Sequence, residues 1–486
     1  MNQPITRLFV VVMVLFAGLA GATSWWTVVK ADELNTQKTS QNKRELLRGL
    51  KIRRGTIRDA DGGVIARSVR GEEGIYSRRY PAGELFGHPV GYSRAELNLG
   101  QSALEAFRND PLSGRKNSIA TFFDQLTGTR REGEDLRTTL EADAQRQATE
   151  LVAKAGKSGS VVAMDPRTGA VQVMASTPGY DPGAVRSSKT LSALNSDEAR
   201  KPLVNRALQF GEAPGSTMKV VTATAAIDSG KYQVDSTVDG TNDAPISGVP
   251  LGNDFDESFG QVDLITAMAK SVNTAWAQIA EDLGKKTMRK YMRRFGFEQK
   301  PELDYPADAM SAPGAYRNGK PLPATSRFVD VGRMGIGQDK LSVTTMQMAQ
   351  VAAAVANGGT LMKPHLTDRI LDREGRTTEE IKPEVQSEVM SQDSAAQVRT
   401  MMEAVVERGT GTASKLDGIQ VAGKTGTAET QIGKKINDVW FIAFAPSRDP
   451  RVAIAVNVQD VPGFGGEIAA PIARDVMRTL LRKGRG

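Results

Sequence analysis

Gly418-Ile419-Gln420-Val421-Ala422-Gly423-Lys424-Thr425-Gly426-Thr427-Ala428 is the stretch on which the fold turns. Its first eight residues satisfy G-x-x-x-x-G-K-[ST], the pattern of a phosphate-binding loop. Such a loop must follow a strand and open a helix. Here the residues between the glycines are apolar and strand-like, and Gly426-Thr427 stand where the helix should begin. The stretch therefore reads as a strand over Ile419 to Ala428, and nucleotide binding is set aside. A strand edge that carries one cation and two hydroxyls, Lys424, Thr425 and Thr427, suits a terminal carboxylate. Gly426 between them lets another chain approach the backbone closely.

Two further strands follow, Val439 to Ala445 and Arg451 to Asp460, and an amphipathic helix near Pro471 to Leu481. Far upstream, Ser160 to Asp165 and Ala170 to Ala175 read as paired strands across Pro166-Arg167-Thr168-Gly169. Helical patterns lie between: Ser216 to Ser229 with Gly230 as a stop, Val262 to Lys270, Thr274 to Leu283, and Thr344 to Ala356 before Asn357-Gly358. Strands at the start and end with helices between predict one α+β unit closed by its termini, over 158–486. Before it, the chain from 30 to 157 is polar and interrupted. Arg53 to Ala66 reads as two short strands around an Asp-Gly-Gly turn, and Glu141 to Gly156 as a helix. Nothing there has catalytic spacing, so a structural or partner-binding module is expected.

The helical unit carries two more polar motifs. Ser216-Thr217-Met218-Lys219 follows Pro214-Gly215 and opens an alanine- and valine-rich helix, which places Lys219 one turn beyond Ser216 on the same face. A serine hydroxyl needs a base to become a nucleophile. Lys219 serves only if neutral, and burial or a second cation such as Lys424 lowers a lysine pKa. Ser271-Val272-Asn273 falls between two helices. Ser271 can pass a proton toward a leaving amine, and the Asn273 amide can accept from Lys219 and donate to a substrate carbonyl. The alternative is that Ser271 or Asn273 simply caps the helix opening at Thr274. The backbone N–H groups of Ser216 and Thr427 can form an oxyanion hole. Each motif is weak alone: Ser40/Lys43 and Ser113/Lys116 repeat Ser-x-x-Lys, and Lys157-Ser158-Gly159 mimics the third motif. Order, separation and context distinguish the set.

Composition narrows the chemistry. The 486 residues are long for one core. There is no cysteine, which excludes thiol catalysis, cysteine zinc sites and a lipoprotein anchor. Only His88 and His365 are available to a Ser-His-Asp triad or a histidine-rich metal site, and neither has an obvious catalytic context. The net charge of +7 is spread along the chain rather than blocked, so no nucleic-acid arm is read. Arg482, Lys483 and Arg485 read as a short solvated tail.

Leu8 to Val29 carries no charge over 22 residues, and as a helix would span about 33 Å, enough for a bilayer core. Arg7 and the amino terminus precede it, Lys30, Asp32 and Glu33 follow, and Trp25 and Trp26 sit near its end. This predicts a cytoplasmic tail over 1–7, a single-pass anchor over 8–29 and an extracytoplasmic remainder. A cleaved signal peptide, with Ala20-Gly21-Ala22 as the cleavage region, is the competing reading, and both export the rest of the chain.

Ser-x-x-Lys, Ser-x-Asn and Lys-Thr-Gly in this order resemble the penicillin-recognising serine transferases. Val162 to Gly169, Pro214 to Lys219, Gly335-Ile336-Gly337-Gln338, Ala356-Asn357-Gly358-Gly359 and Ala422 to Glu429 look like penicillin-binding-protein transpeptidase segments. Arg54-Gly55-Thr56-Ile57 through Ala66 is similar to the pedestal opening of monofunctional, class B members, and the length is most like the actinobacterial PBP A-like subgroup. The resemblance implies a five-stranded antiparallel sheet flanked by helices, with the site at its edge. It implies a serine D,D-transpeptidase that cross-links peptidoglycan stem peptides through an acyl-enzyme and is acylated by β-lactams. Ser216 would be the nucleophile, Lys219 the acylation base, and Ser271 and Asn273 the proton relay and substrate contact. Lys424, Thr425 and Thr427 would contact the carboxylate side. No metal or organic cofactor is implied. Val272 stands where class A β-lactamases carry aspartate, which leans toward synthesis over drug hydrolysis. The stretch before the catalytic unit is too short for a glycosyltransferase domain, so polymerisation would come from a separate enzyme, with other division or elongation proteins as partners. A D,D-carboxypeptidase and a non-catalytic β-lactam sensor or scaffold are the alternatives.

Overall fold

The computed structural model describes residues 3–25, 49–115, 132–209, 211–431 and 436–483. At the N-terminus, helix α1 (Gln3–Ser24) includes one segment long and apolar enough to cross a membrane, Thr6–Ser24, none of it buried against the protein. Trp25 is exposed at its end. Trp26 and the rest of the apolar run to Val29 lie outside the described residues.

The N-terminal unit is organised by the expected hairpin. Strands β1 (Ile57–Arg58) and β2 (Val64–Arg70) pair antiparallel. In their turn the Asp59 carboxylate accepts from the N–H groups of Asp61 at 3.1 Å and Gly63 at 2.6 Å, which is why an Asx turn closes there. Strand β3 (Tyr76–Arg79) extends β2, and β4 (Asp135–Thr138) runs parallel to β1. Beneath them Glu105, fully buried, accepts from Arg54 Nε and Arg78 Nε, each at 2.6 Å. Burial opposes ionisation of Glu105, but the Arg78 and Arg54 guanidiniums outweigh it and hold the carboxyl below its ordinary range. Glu105→Ala leaves buried Arg78 without its carboxylate and is expected to cost about 3–5 kcal/mol. Urea unfolding checks this: a loss below about 1 kcal/mol would mean the pair is solvated.

Helix α2 (Ala142–Ala155) leads into β5 (Ser158–Met164) and β6 (Val171–Thr177). Helices α3 (Lys219–Asp228), α4 (Leu264–Ala269), α5 (Asn273–Arg294) and α6 (Thr345–Ala356) follow. The chain then does something no local pattern announces. Strands β7 (Thr367–Leu371) and β8 (Thr377–Glu380) return to the N-terminal sheet, β7 pairing antiparallel with β4, to complete the order β8-β7-β4-β1-β2-β3. Helix α7 (Gln392–Arg408) precedes β9 (Ala422–Gln431), β10 (Ile436–Ala445) and β11 (Val452–Pro462), and α8 (Gly465–Lys483) ends the fold. The second sheet runs β9-β10-β11-β5-β6, all antiparallel. Its first and last strands in sequence meet at β11 and β5, as the closed-by-termini reading expects.

Both faces of this sheet are covered. Alternate residues of β10, Trp440, Ile442 and Phe444, join the core of α3, α5, α6 and α7. Val439, Phe441 and Ala443 join the core beneath α2 and α8. That two-sided burial is why these strands read as continuous apolar runs. Among the boundaries that differ from the sequence reading, three have a visible cause. β9 starts at Ala422, because Leu416 to Ile419 closes a turn instead. The helix from Asn273 runs past Leu283, breaking only at Gly284 (φ 74°). α8 opens at Gly465 rather than Pro471, because the Glu467 carboxylate accepts from Phe464 N at 3.3 Å, one half of a capping box. Lys483, read as tail, pairs instead with Asp61 and with Glu141, tying α8 to the N-terminal hairpin. Arg485 lies outside the described residues.

Candidate active site

The three motifs converge where α3, the α4–α5 junction and the free edge of β9 meet. Ser216 lies in a 3-10 turn, Gly215–Met218, and Lys219 begins α3 directly after it. The turn is held against the sheet edge by bare backbone. Gly215 has φ +52°, and a Cβ there would fall 2.5 Å from the Thr427 carbonyl oxygen and 2.9 Å from its nitrogen. A Cβ at Gly426 would fall 2.6 Å from the Pro214 carbonyl oxygen, so the chain approaching Gly426 is the protein's own Ser216 turn. The Gly215 N–H donates to the Gly337 carbonyl at 3.1 Å, which fixes the turn from the other side.

Behind Ser216 the side chains form a bonded chain. Lys219 Nζ, fully buried, donates to the Ser271 carbonyl at 2.6 Å and Asn273 Oδ1 at 2.6 Å, and lies 3.1 Å from Ser271 Oγ. Lys424 Nζ, also fully buried, donates to the same Ser271 Oγ at 2.9 Å and to the Thr425 carbonyl at 3.1 Å. Thr425 Oγ1 shares a 2.6 Å bond with Thr410 Oγ1, and Thr427 Oγ1 accepts from Gly465 N at 3.3 Å. Half-buried Ser216 forms no side-chain hydrogen bond among the described residues, which leaves its hydroxyl unclaimed.

Burial pushes the Lys219 ammonium down to about 7, against the pull of the Asp254 carboxylate. Lys424 is pushed well down by burial first and then by the charge on Lys219. The sequence reading named burial and a second cation as what lowers Lys219; burial is the cause here, and the repulsion between the lysines falls on Lys424. The two side-chain nitrogens contact one hydroxyl, which sets the charge on Lys219 against that on Lys424. A neutral Lys219 has two N–H groups, which Ser271 O and Asn273 Oδ1 satisfy, and one lone pair.

The helix-cap alternative for the middle motif is not what the structure holds. Ser271 sits at φ +61°, a strained conformation for a non-glycine, and aims its hydroxyl between the lysines. Capping of α5 falls to Asn253 instead, whose Oδ1 accepts from Thr274 N at 3.0 Å. Asn253 was invisible to motif reasoning, because it lies about twenty residues upstream in a stretch with no periodicity. Asp254 was missed for the same reason. So were exposed Phe255 and Phe464, neighbours in sequence of Asp254 and Gly465, whose rings lie 5.5 Å apart at 54°. Neither histidine belongs to the network. Buried His88, pushed down to about 4 by its burial, bonds the Pro202 carbonyl, and His365 pairs its backbone beside Ala170.

Comparison with known proteins places the chain in a family. Residues 159–478 match the penicillin binding protein transpeptidase domain, and residues 54–136 match the penicillin binding protein A dimerisation domain. The sequence is 32% identical to the peptidoglycan D,D-transpeptidase PbpA of Mycolicibacterium smegmatis, with 100% of both chains covered. It is 30% identical to PbpA of Mycobacterium tuberculosis, with 99% of each covered. In structure it is similar to penicillin-binding protein A from M. tuberculosis as its ceftriaxone acyl-enzyme complex, at TM-score 0.79 and 28% identity, covering 90% of this chain and 100% of that chain. The penicillin G acyl-enzyme complex gives 0.78 and 28%, covering 88% and 100%. A buried lysine pair on one serine, set behind a free serine at the edge of a five-stranded sheet, thus sits in a chain that belongs to the penicillin-binding protein transpeptidase family, among its PbpA-like members.

Proposed function

We propose that this protein is a peptidoglycan D,D-transpeptidase whose nucleophile is Ser216, and that β-lactams acylate the same serine. The observation that carries the residue roles is the Lys219–Ser271–Lys424 relay behind the unclaimed Ser216 hydroxyl. Neutral Lys219 takes the Ser216 proton as Oγ bonds to the penultimate D-alanine carbonyl of a stem peptide. The Ser216 and Thr427 backbone N–H groups stabilise the oxyanion, which their adjacent backbones at Gly215 support. Lys219 then passes that proton through Ser271, which Lys424 holds in place, to the nitrogen of the breaking peptide bond, and D-alanine leaves. An acceptor amine from a second stem then attacks the ester carbon, the bond to Ser216 Oγ breaks, and the amine proton returns to Ser216. Asn273, whose two N–H groups are taken by Gly252 and Asp254, does not donate to a substrate carbonyl as the sequence suggested and can only accept from the donor peptide through Oδ1, while Lys424, Thr425, Gly426 and Thr427 line the carboxylate side.

The apolar helix is proposed as a retained anchor, with 1–7 cytoplasmic, 8–29 in the membrane and the rest outside. The division between a partner-binding unit over 30–157 and a catalytic unit over 158–486 rests on the catalytic sheet's first strand opening at Ser158. Region 54–136, matching a dimerisation domain, is proposed to pair copies of the chain, with a separate polymerase supplying glycan strands.

The full-length protein in detergent, given a stem pentapeptide donor and a diamino-acid acceptor amine, is expected to form the transpeptidated product in proportion to acceptor. Mass spectrometry separates this from hydrolysis. Hydrolysed peptide alone at every acceptor concentration would make the protein a carboxypeptidase.

A further inference from the structure

Next to the motif residues, the loop after Leu251 carries a carboxylate that none of the motifs contains. Asp254 Oδ1 accepts from Asn273 Nδ2 at 3.2 Å, and the Gly252 carbonyl accepts from the same nitrogen at 3.3 Å. An amide whose nitrogen is engaged twice presents its oxygen the other way, and Asn273 Oδ1 is the atom that meets Lys219 Nζ at 2.6 Å. The loop is built to hold Asp254 there. Buried Asn253 donates to the Gly240 carbonyl at 3.0 Å and the Glu257 carbonyl at 2.9 Å, and accepts from Thr274 N and Oγ1 at the start of α5. Phe255 and Asp256 then take consecutive left-handed conformations, φ 58° and 55°, strain that turns the loop back at this point.

The geometry points to Asp254 as a positioning residue for acyl transfer: it locks the Asn273 amide in the orientation that receives Lys219, and lends negative charge to the two buried lysines. This rests on the Ser216 reading above. The charged groups facing one another here are Lys219 from α3, Lys424 from β9 and Asp254. Exposed Lys270, Asp256 and Glu257 are nearby in sequence, and α5 presents only neutral Asn273. Asp254 is the carboxylate that acts on both lysines, in each case favouring the ammonium. Without it the base would lose its proton at lower pH. Because Asp254 is exposed, solvent screens the effect, and salt should weaken it.

The test measures the acylation rate of the full-length protein by a fluorescent penicillin across pH, for the native chain, Asp254→Asn, Asp254→Ala and Asp254→Glu. Asparagine keeps an acceptor for Asn273 but removes the charge, so the rising limb should move to lower pH by about half a unit. Alanine should move the limb equally and also lower the plateau about tenfold, because the Asn273 amide is freed to turn. Glutamate should return the limb toward its native position. An unmoved limb in both the asparagine and alanine proteins would overturn the assignment while leaving Ser216 chemistry intact. Native protein that never labels would remove the Ser216 reading, and this inference with it.

Discussion

Ser216→Ala abolishes covalent labelling of the full-length protein by a fluorescent penicillin. The expected drop in acylation rate is about 10⁴-fold or more, since removal of a serine nucleophile leaves only binding and oxyanion contacts. The substitution should be structurally quiet. Ser216 is half-buried and its hydroxyl bonds nothing among the described residues, so no partner is orphaned. The melting temperature should therefore stay within about 2 °C of native. Labelled, folded Ser216→Ala would show that another hydroxyl is the nucleophile. Ser271 would be the first to examine, since it stands between both lysines.

Lys219→Met is expected to slow acylation by about 10³-fold, within the range for loss of a positioned general base. Methionine approximates the stem's volume and removes a buried amine. It also strips a donor from Ser271 O and Asn273 Oδ1, so some stability is lost in parallel. The pH profile separates the two effects. Only neutral Lys219 can accept the Ser216 proton, and its folded pKa is lowered to about 7. Native acylation should thus rise with pH through about 7 and level off above it. A merely destabilised protein would keep that limb at reduced amplitude; loss of the base removes the limb. A Lys219→Met protein that still shows a rise centred near 7 would transfer the base role to another group, with Lys424 the candidate on the same hydroxyl.

What the amino-acid order determined alone was whatever has a local cause. The apolar residues before Lys424 and the Gly426-Thr427 that follow it mark a strand and not a phosphate loop, and β9 carries them. Pro214-Gly215 before an alanine-rich run marks a helix start, so Ser216 and Lys219 fall one turn apart. A helix opening at Thr344 and a stop at Gly230 were equally readable, because caps and left-handed glycines act within a few residues. Tertiary structure alone decided the electrostatics. Lys424 and Ser271 are 153 residues apart yet 2.9 Å in contact, and only the folded packing shows that burial is what depresses Lys219. It also decided that Asn253, not Ser271 or Asn273, caps α5, leaving the motif side chains free for the cleft. The same holds for β7, whose pairing with β4 closes the N-terminal sheet from far along the chain. Side-chain periodicity encodes which face of an element is buried; it carries no information on which distant element, charge or hydroxyl will be buried against it.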